Sequence, residues 1–145
     1  MVLLKLLEKI PFFHDFTSEE LTRFIEGDSF FANYHRGDHI IREGGVDHAL
    51  FILIKGAAVV TKENKPEMLI ASLKPGTTFG EISFLTHQAR TTNVIASEEC
   101  TVFRLDGKML AKMDLSIQNK IKDQLITVLV KRLDEMNMTL VRLAR

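Results

Sequence analysis

The chain has 145 residues, 46% hydrophobic and 26% charged, which suits a soluble globular protein with one proper core. Its 19 basic and 19 acidic residues cancel, and this argues against nucleic-acid binding by this domain alone, because displacing counterions needs a positive excess. The longest apolar run, Ala49–Ile54, is too short for a membrane span, no cleavage site follows Val2–Leu7, and the lone Cys100 cannot form an internal disulfide; together these predict a cytoplasmic location.

In chain order, residues 1–26 read as helical. Leu3, Leu6, Leu7 and Ile10 recur at helix spacing until Pro11 ends the turn. Thr17-Ser18-Glu19-Glu20-Leu21 then offers a cap followed by carboxylates, with Leu21, Phe24 and Ile25 as the apolar face.

From Asp28 to residue 105 the pattern becomes β-rich. The runs are Ser29–His35, His39–Arg42, Ala49–Lys55, Ala57–Lys62, Met68–Leu73, Thr92–Ala96 and Cys100–Leu105. Turn signals separate most of them, including Arg36-Gly37-Asp38, Glu43-Gly44-Gly45, Gly56, Glu63-Asn64-Lys65-Pro66 and Lys74-Pro75-Gly76. Many short, evenly spaced strands predict a sandwich or jelly-roll barrel.

Helix signals return over 106–145. Ile126, Leu129, Leu133, Met136, Leu140 and Leu143 alternate in steps of three and four, the spacing of a heptad seam and hence of a homodimer helix. A second stripe, Ile117, Ile121, Leu125 and Val128, suits packing on the domain body.

The interruption between the last strands carries the chemistry. Gly80 permits close backbone approach, and residues 81 to 85 can form one helical turn whose free N–H groups face an anion. Arg90 offers a two-pronged donor for phosphate oxygens, Thr91 adds a hydroxyl, and Glu81 is an acceptor for ribose hydroxyls. The same residue types also fit a plain Glu81–Arg90 ion pair across a loop. His35, His39 and Glu43 suggest a metal-dependent cupin on paper, yet the Gly37-Asp38 turn intervenes and no His-x-His pair is present. No catalytic constellation stands out, so the domain reads as a non-enzyme.

Phe79-Gly80-Glu81-Ile82, then Ala89-Arg90-Thr91 leading into a strand, closely resembles the phosphate-binding cassette of cyclic-nucleotide-binding domains. The resemblance covers nearly the whole chain. It implies an α+β fold, namely an eight-stranded β-roll or jelly-roll (double-stranded β-helix) with flanking N-terminal helices and a long C-terminal dimerisation helix. One sensor domain would span 1–145, with its cassette at 79–95. Ligand contacts carried over are Phe79, Gly80, Glu81, Ile82, Ser83, Arg90, Thr91 and Thr92. Lys131-Arg132-Leu133 resembles the dimer helix of catabolite activators, which adds Met136 and Asn137 as base contacts, some made across the dimer. The implied ligand is cyclic AMP, with cyclic GMP second because Thr91 suits a syn guanine. Ser83 and the bulky Phe84 depart slightly from the family's small residues there. An output domain beyond residue 145, a DNA-binding unit or a cyclic-dinucleotide phosphodiesterase, is compatible with this pattern, whereas the retained Glu81 and Arg90 argue against a degenerate cassette that only dimerises.

Overall fold

The structure is a computed structural model describing residues 2–27, 29–63 and 67–144; the Asp28 boundary, the Asn64-Lys65-Pro66 turn and Arg145 lie outside the described residues. Helix α1 is Val2–Glu8, a 3-10 turn covers Pro11–Phe13, and α2 is Ser18–Glu26. Thr17 caps α2 reciprocally: its hydroxyl accepts from the Glu20 N–H at 3.1 Å, and its own N–H donates to Glu20 Oε1 at 2.9 Å.

Among the described residues eight strands follow: β1 Phe31–Tyr34, β2 His39–Ile41, β3 Leu50–Lys55, β4 Ala58–Lys62, β5 Met68–Leu73, β6 Thr78–Phe79, β7 Asn93–Ala96 and β8 Cys100–Leu105. They form two antiparallel four-stranded sheets, ordered β1-β8-β3-β6 and β2-β7-β4-β5, so the expected β-roll is the observed fold. The seven runs read from the sequence match seven of these strands to within two residues at each end, and β6 lies in the interruption that carries the cassette. Two residues are too few to show a period, and only pairing with Phe51 and Ile52 makes them a strand.

Strand β3 explains the longest apolar run. Leu50, Ile52 and Ile54 pack in the core shared with the helices, while Phe51 and Leu53 pack in the core between the sheets. Both faces are buried, so the usual apolar–polar alternation disappears.

After β8 the chain forms α4 (Gly107–Ala111) and α5 (Leu115–Leu143). Asp106 caps α4 by accepting from the Met109 N–H at 2.8 Å. Ile117, Ile121 and Leu125 of α5 are buried in the helix-side core with Phe84, and Val128 packs against its edge. Polar contacts add to this hold: Lys120 Nζ lies 2.6 Å from Glu20 Oε1, and Gln124 Nε2 donates to Asp15 Oδ2 at 3.0 Å. Arg132 is the last α5 residue to touch the body; beyond it Leu133, Met136, Leu140 and Leu143 are exposed. Among the described residues no helix is long and apolar enough to cross a membrane.

Candidate functional site

Pairing of β6 with β3 places Phe79 on Phe51, with ring centroids 5.3 Å apart and planes 12° apart, and so fixes where the next residue emerges. That residue, Gly80, adopts φ +78°, a left-handed turn glycine takes without strain. It sends the chain directly into α3 (Glu81–Thr86). The first helical bond is from Phe84 N–H to Gly80 O at 3.3 Å. The amides of Glu81, Ile82 and Ser83 therefore have no intrahelical acceptor and form a ready anion nest. Ser83 and Phe84 are buried, whereas the Ile82 side chain is 55% exposed and contributes its backbone.

Arg90 is only 6% exposed. Its backbone is tied to the β2–β3 loop twice, by Arg90 N–H to Gly45 O (3.0 Å) and Gly44 N–H to Arg90 O (2.7 Å). Its guanidinium donates through Nη1 to Gly80 O at 2.9 Å and through Nη2 to Ala49 O at 2.6 Å. Asp47 Oδ2 stands 3.8 Å away, but the same carboxylate is also drawn 3.3 Å from Arg104. Arg90 Nε is buried without a hydrogen-bond partner among the described residues. Burial pulls the guanidinium below its ordinary value and Asp47 opposes that. Arginine still remains charged at neutral pH, so the site holds a desolvated cation with a spare donor.

Glu81 is 5% exposed and does not pair with Arg90. Arg132 of α5 reaches it instead: Nη1 pairs with the Glu81 carboxylate and Nη2 donates to Thr78 O. The loop ion pair weighed from the sequence is thus replaced by one running from the cassette to the last helix. Burial lowers the Arg132 guanidinium from its ordinary value and Glu135 opposes this.

A cavity of about 340 Å³ joins these groups. Phe79, Gly80, Glu81, Ile82, Ser83, Arg90, Thr91 and Thr92 all line it, with an apolar wall of Ile41, Val60, Ala71, Leu73 and Val94. Its size and composition are those of a small-molecule site: apolar walls with a few convergent polar groups. Thr91 is exposed, and its carbonyl accepts from Lys62 Nζ at 2.7 Å.

Met136 and Asn137 are not brought to this cavity. They lie on the exposed end of α5, about one turn beyond Arg132, and Asn137 faces a shallow surface with Met138, Val141 and Arg142. Arg132 is the functional side chain that sequence reasoning missed as a site residue. In the sequence Lys131-Arg132-Leu133 carries only the resemblance to a dimer helix, and nothing in its helical spacing points across 54 residues to Thr78. Of the metal candidates, His35 Nδ1 lies 3.3 Å from Glu99. Among the described residues no three His, Cys, Asp or Glu side chains are grouped to hold a metal. Cys100 is buried and donates to Ala57 O at 3.0 Å, and burial pushes its thiol up.

The family model described as cyclic nucleotide-binding domain matches residues 31–114. Human cGMP-dependent protein kinase 2 is 40% identical over 68 residues, 45% of this chain and 9% of that protein. The human potassium/sodium hyperpolarization-activated cyclic nucleotide-gated channel 1 is 37% identical over 75 residues, 52% of this chain and 8% of the channel. The chain thus spans less than a tenth of the length of these relatives. Among solved structures, Thermus thermophilus catabolite activator protein superposes with a TM-score of 0.76 at 25% identity, covering 92% of this chain and 63% of that one. PKAR CBD2 bound to Sp-2Cl-cAMPS gives 0.70 at 26% identity, covering 99% and 90%.

Proposed function

The chain belongs to the cyclic nucleotide-binding domain family, whose domains are regulatory rather than catalytic, and on that premise we propose that residues 1–145 act as one sensor that binds cyclic AMP in the cavity between α3 and β4–β5. The observation that carries this reading is the buried Arg90, with its unpartnered Nε, lining the same cavity as the residues at the start of α3. A cyclic phosphate supplies the acceptor that this cation and these amides lack. Arg90, Thr91, Thr92 and the amides of Gly80, Glu81, Ile82 and Ser83 hold the phosphate end, and Glu81 takes the ribose 2′-hydroxyl. The base lies against Val60, Ala71 and Leu73, with Phe79 beneath. Cyclic GMP is the second ligand, since Thr91 lines the cavity and its hydroxyl suits the amino group of a syn guanine.

The signal leaves through α5. Glu81 is held by Arg132, so a ribose that engages Glu81 competes with or reorders that ion pair. Phe84 shares its core with Ile117, Ile121 and Leu125, so movement of α3 repacks the same helix. Ile82 and Leu85, its neighbours on α3, are exposed and stand outside that core. A ligand drives this change only by binding one helix arrangement better than the other.

The exposed stripe of Ile126, Leu133, Met136, Leu140 and Leu143 supports a homodimer through α5. Met136 and Asn137, beyond the wall of their own cavity, then act on the base held by the second copy. Calorimetric titration with cyclic AMP, cyclic GMP and a cyclic dinucleotide tests the reading. Wild type is expected to prefer cyclic AMP, and Arg90→Ala to lose on the order of 2–3 kcal/mol of binding through its charge-assisted bonds. Unchanged affinity in that variant refutes the site.

A further inference from the structure

We infer that His48 and His87 form an aromatic clasp that positions the phosphate turn, a role that rests on the reading of the cavity as the cyclic-nucleotide site. The two rings meet edge to face, with centroids 5.4 Å apart and planes at 89°. This is a favourable geometry for aromatic pairs. Neither residue lines the cavity, and neither is used by the phosphate contacts described above.

Each histidine sits at a lever point. His87 ends α3, its N–H donating to Ser83 O at 2.8 Å. It does so at φ 59°, the only non-glycine with positive φ among the described residues. Glycine suits such a helix end best, so a side chain here runs against local preference. His48 lies between the two residues that anchor Arg90: Asp47 provides the nearby carboxylate and Ala49 the carbonyl that accepts Nη2. His48 Nδ1 is buried with no hydrogen-bond partner among the described residues, so packing, not a polar bond through that nitrogen, holds the ring.

The clasp therefore joins the two halves of the phosphate site, the amides of α3 and the loop that aims Arg90. A six-residue helix is too short to keep its own shape, and α3 relies on what packs against it. Phe84 fixes its inner face, and His48 holds its far end through His87.

The test uses the whole chain with His87→Gly, His48→Ala, the double variant and His48→Phe, each followed by hydrogen exchange of the α3 amides, thermal unfolding and calorimetry with cyclic AMP. His87→Gly relieves the left-handed conformation, so its melting temperature is expected not to fall. Its α3 amides should nonetheless exchange faster, and its affinity should weaken by between about twofold and tenfold. His48→Ala should match it, the double should be no worse than the stronger single, and His48→Phe should restore slow exchange by keeping the ring. Wild-type exchange and affinity in both single variants, or fully additive losses in the double, overturn the clasp. Faster α3 exchange in the single variants than in wild type, with wild type itself binding no cyclic nucleotide, upholds the clasp and overturns the ligand reading.

Discussion

Replacing Gly80 by alanine tests whether the cassette turn is as tightly built as its geometry implies. An added Cβ would lie 3.0 Å from Ala49 O, 3.0 Å from Arg90 Nη1 and 3.3 Å from Ile41 Cδ1. Two of these are the groups that define the anion site: Nη1 bonds Gly80 O, and Ala49 O accepts from Nη2. The methyl thus wedges between the guanidinium and one of its anchors. The left-handed conformation alone costs an L residue about 1–2 kcal/mol. Disturbing a charge-assisted hydrogen bond costs about 1.5–3 kcal/mol more, so the total is on the order of 2.5–5 kcal/mol. Gly76 is the control: it has φ +94°, but an added Cβ there meets nothing within 4 Å. Gly76→Ala should therefore cost only the conformational part, about 1–2 kcal/mol. Urea unfolding of both variants measures the difference, and cyclic AMP titration should show a binding defect in Gly80→Ala alone. Equal destabilisation of the two variants, or wild-type binding by Gly80→Ala, refutes the claim that Gly80 is required by the closeness of Arg90 and Ala49.

Removing Arg132 should expose the cost of burying Glu81. Arg132→Ala is expected to destabilise by about 1–3 kcal/mol, below the figure for a fully buried pair because the Arg132 side chain is 36% exposed. Combining it with Glu81→Gln should recover much of the loss in urea unfolding, and a simple sum of the two effects contradicts the ion pair. At Glu20, burial raises the carboxyl, but the Lys120 contact and the Thr17 amide outweigh it, so the net shift is downward. The unfolded state then binds the proton more readily, and stability from this group is present above the ordinary carboxylate range and lost as pH falls through the folded value. Acid unfolding of Glu20→Gln should show a weaker dependence on pH in that window than wild type, and an identical profile rejects the assignment. For the dimer, Leu133→Asp with Leu140→Asp should halve the sedimenting mass, whereas an unaltered mass rejects the α5 seam.

Much of the molecule was legible in the chain because its signals are local. Turn glycines between short β-branched runs predicted the roll, Thr17 with Glu20 three residues later predicted the cap, and Gly80-Glu81 followed by Arg90 predicted the phosphate turn. Each of these depends on backbone conformation or side chains within about ten residues, where spacing carries information. Resemblance to a known cassette then named the ligand class, which residue types alone left open.

The tertiary structure decided which side chains meet. Arg90 finds Ala49 across 41 residues, Arg132 finds Thr78 across 54, and Lys120 finds Glu20 across 100. No periodicity encodes such pairs, because sheet order and helix packing set them. The same packing gave β6 its partner, handed Glu81 to Arg132 in place of Arg90, and left Met136 and Asn137 outside their own cavity. The sequence by itself determined the roll, the turn and the kind of anion they suit. Only the folded chain decided what holds Arg90 and Glu81 in place, because a charge buried far from its neighbours in sequence must take its partner from whichever element the fold brings beside it.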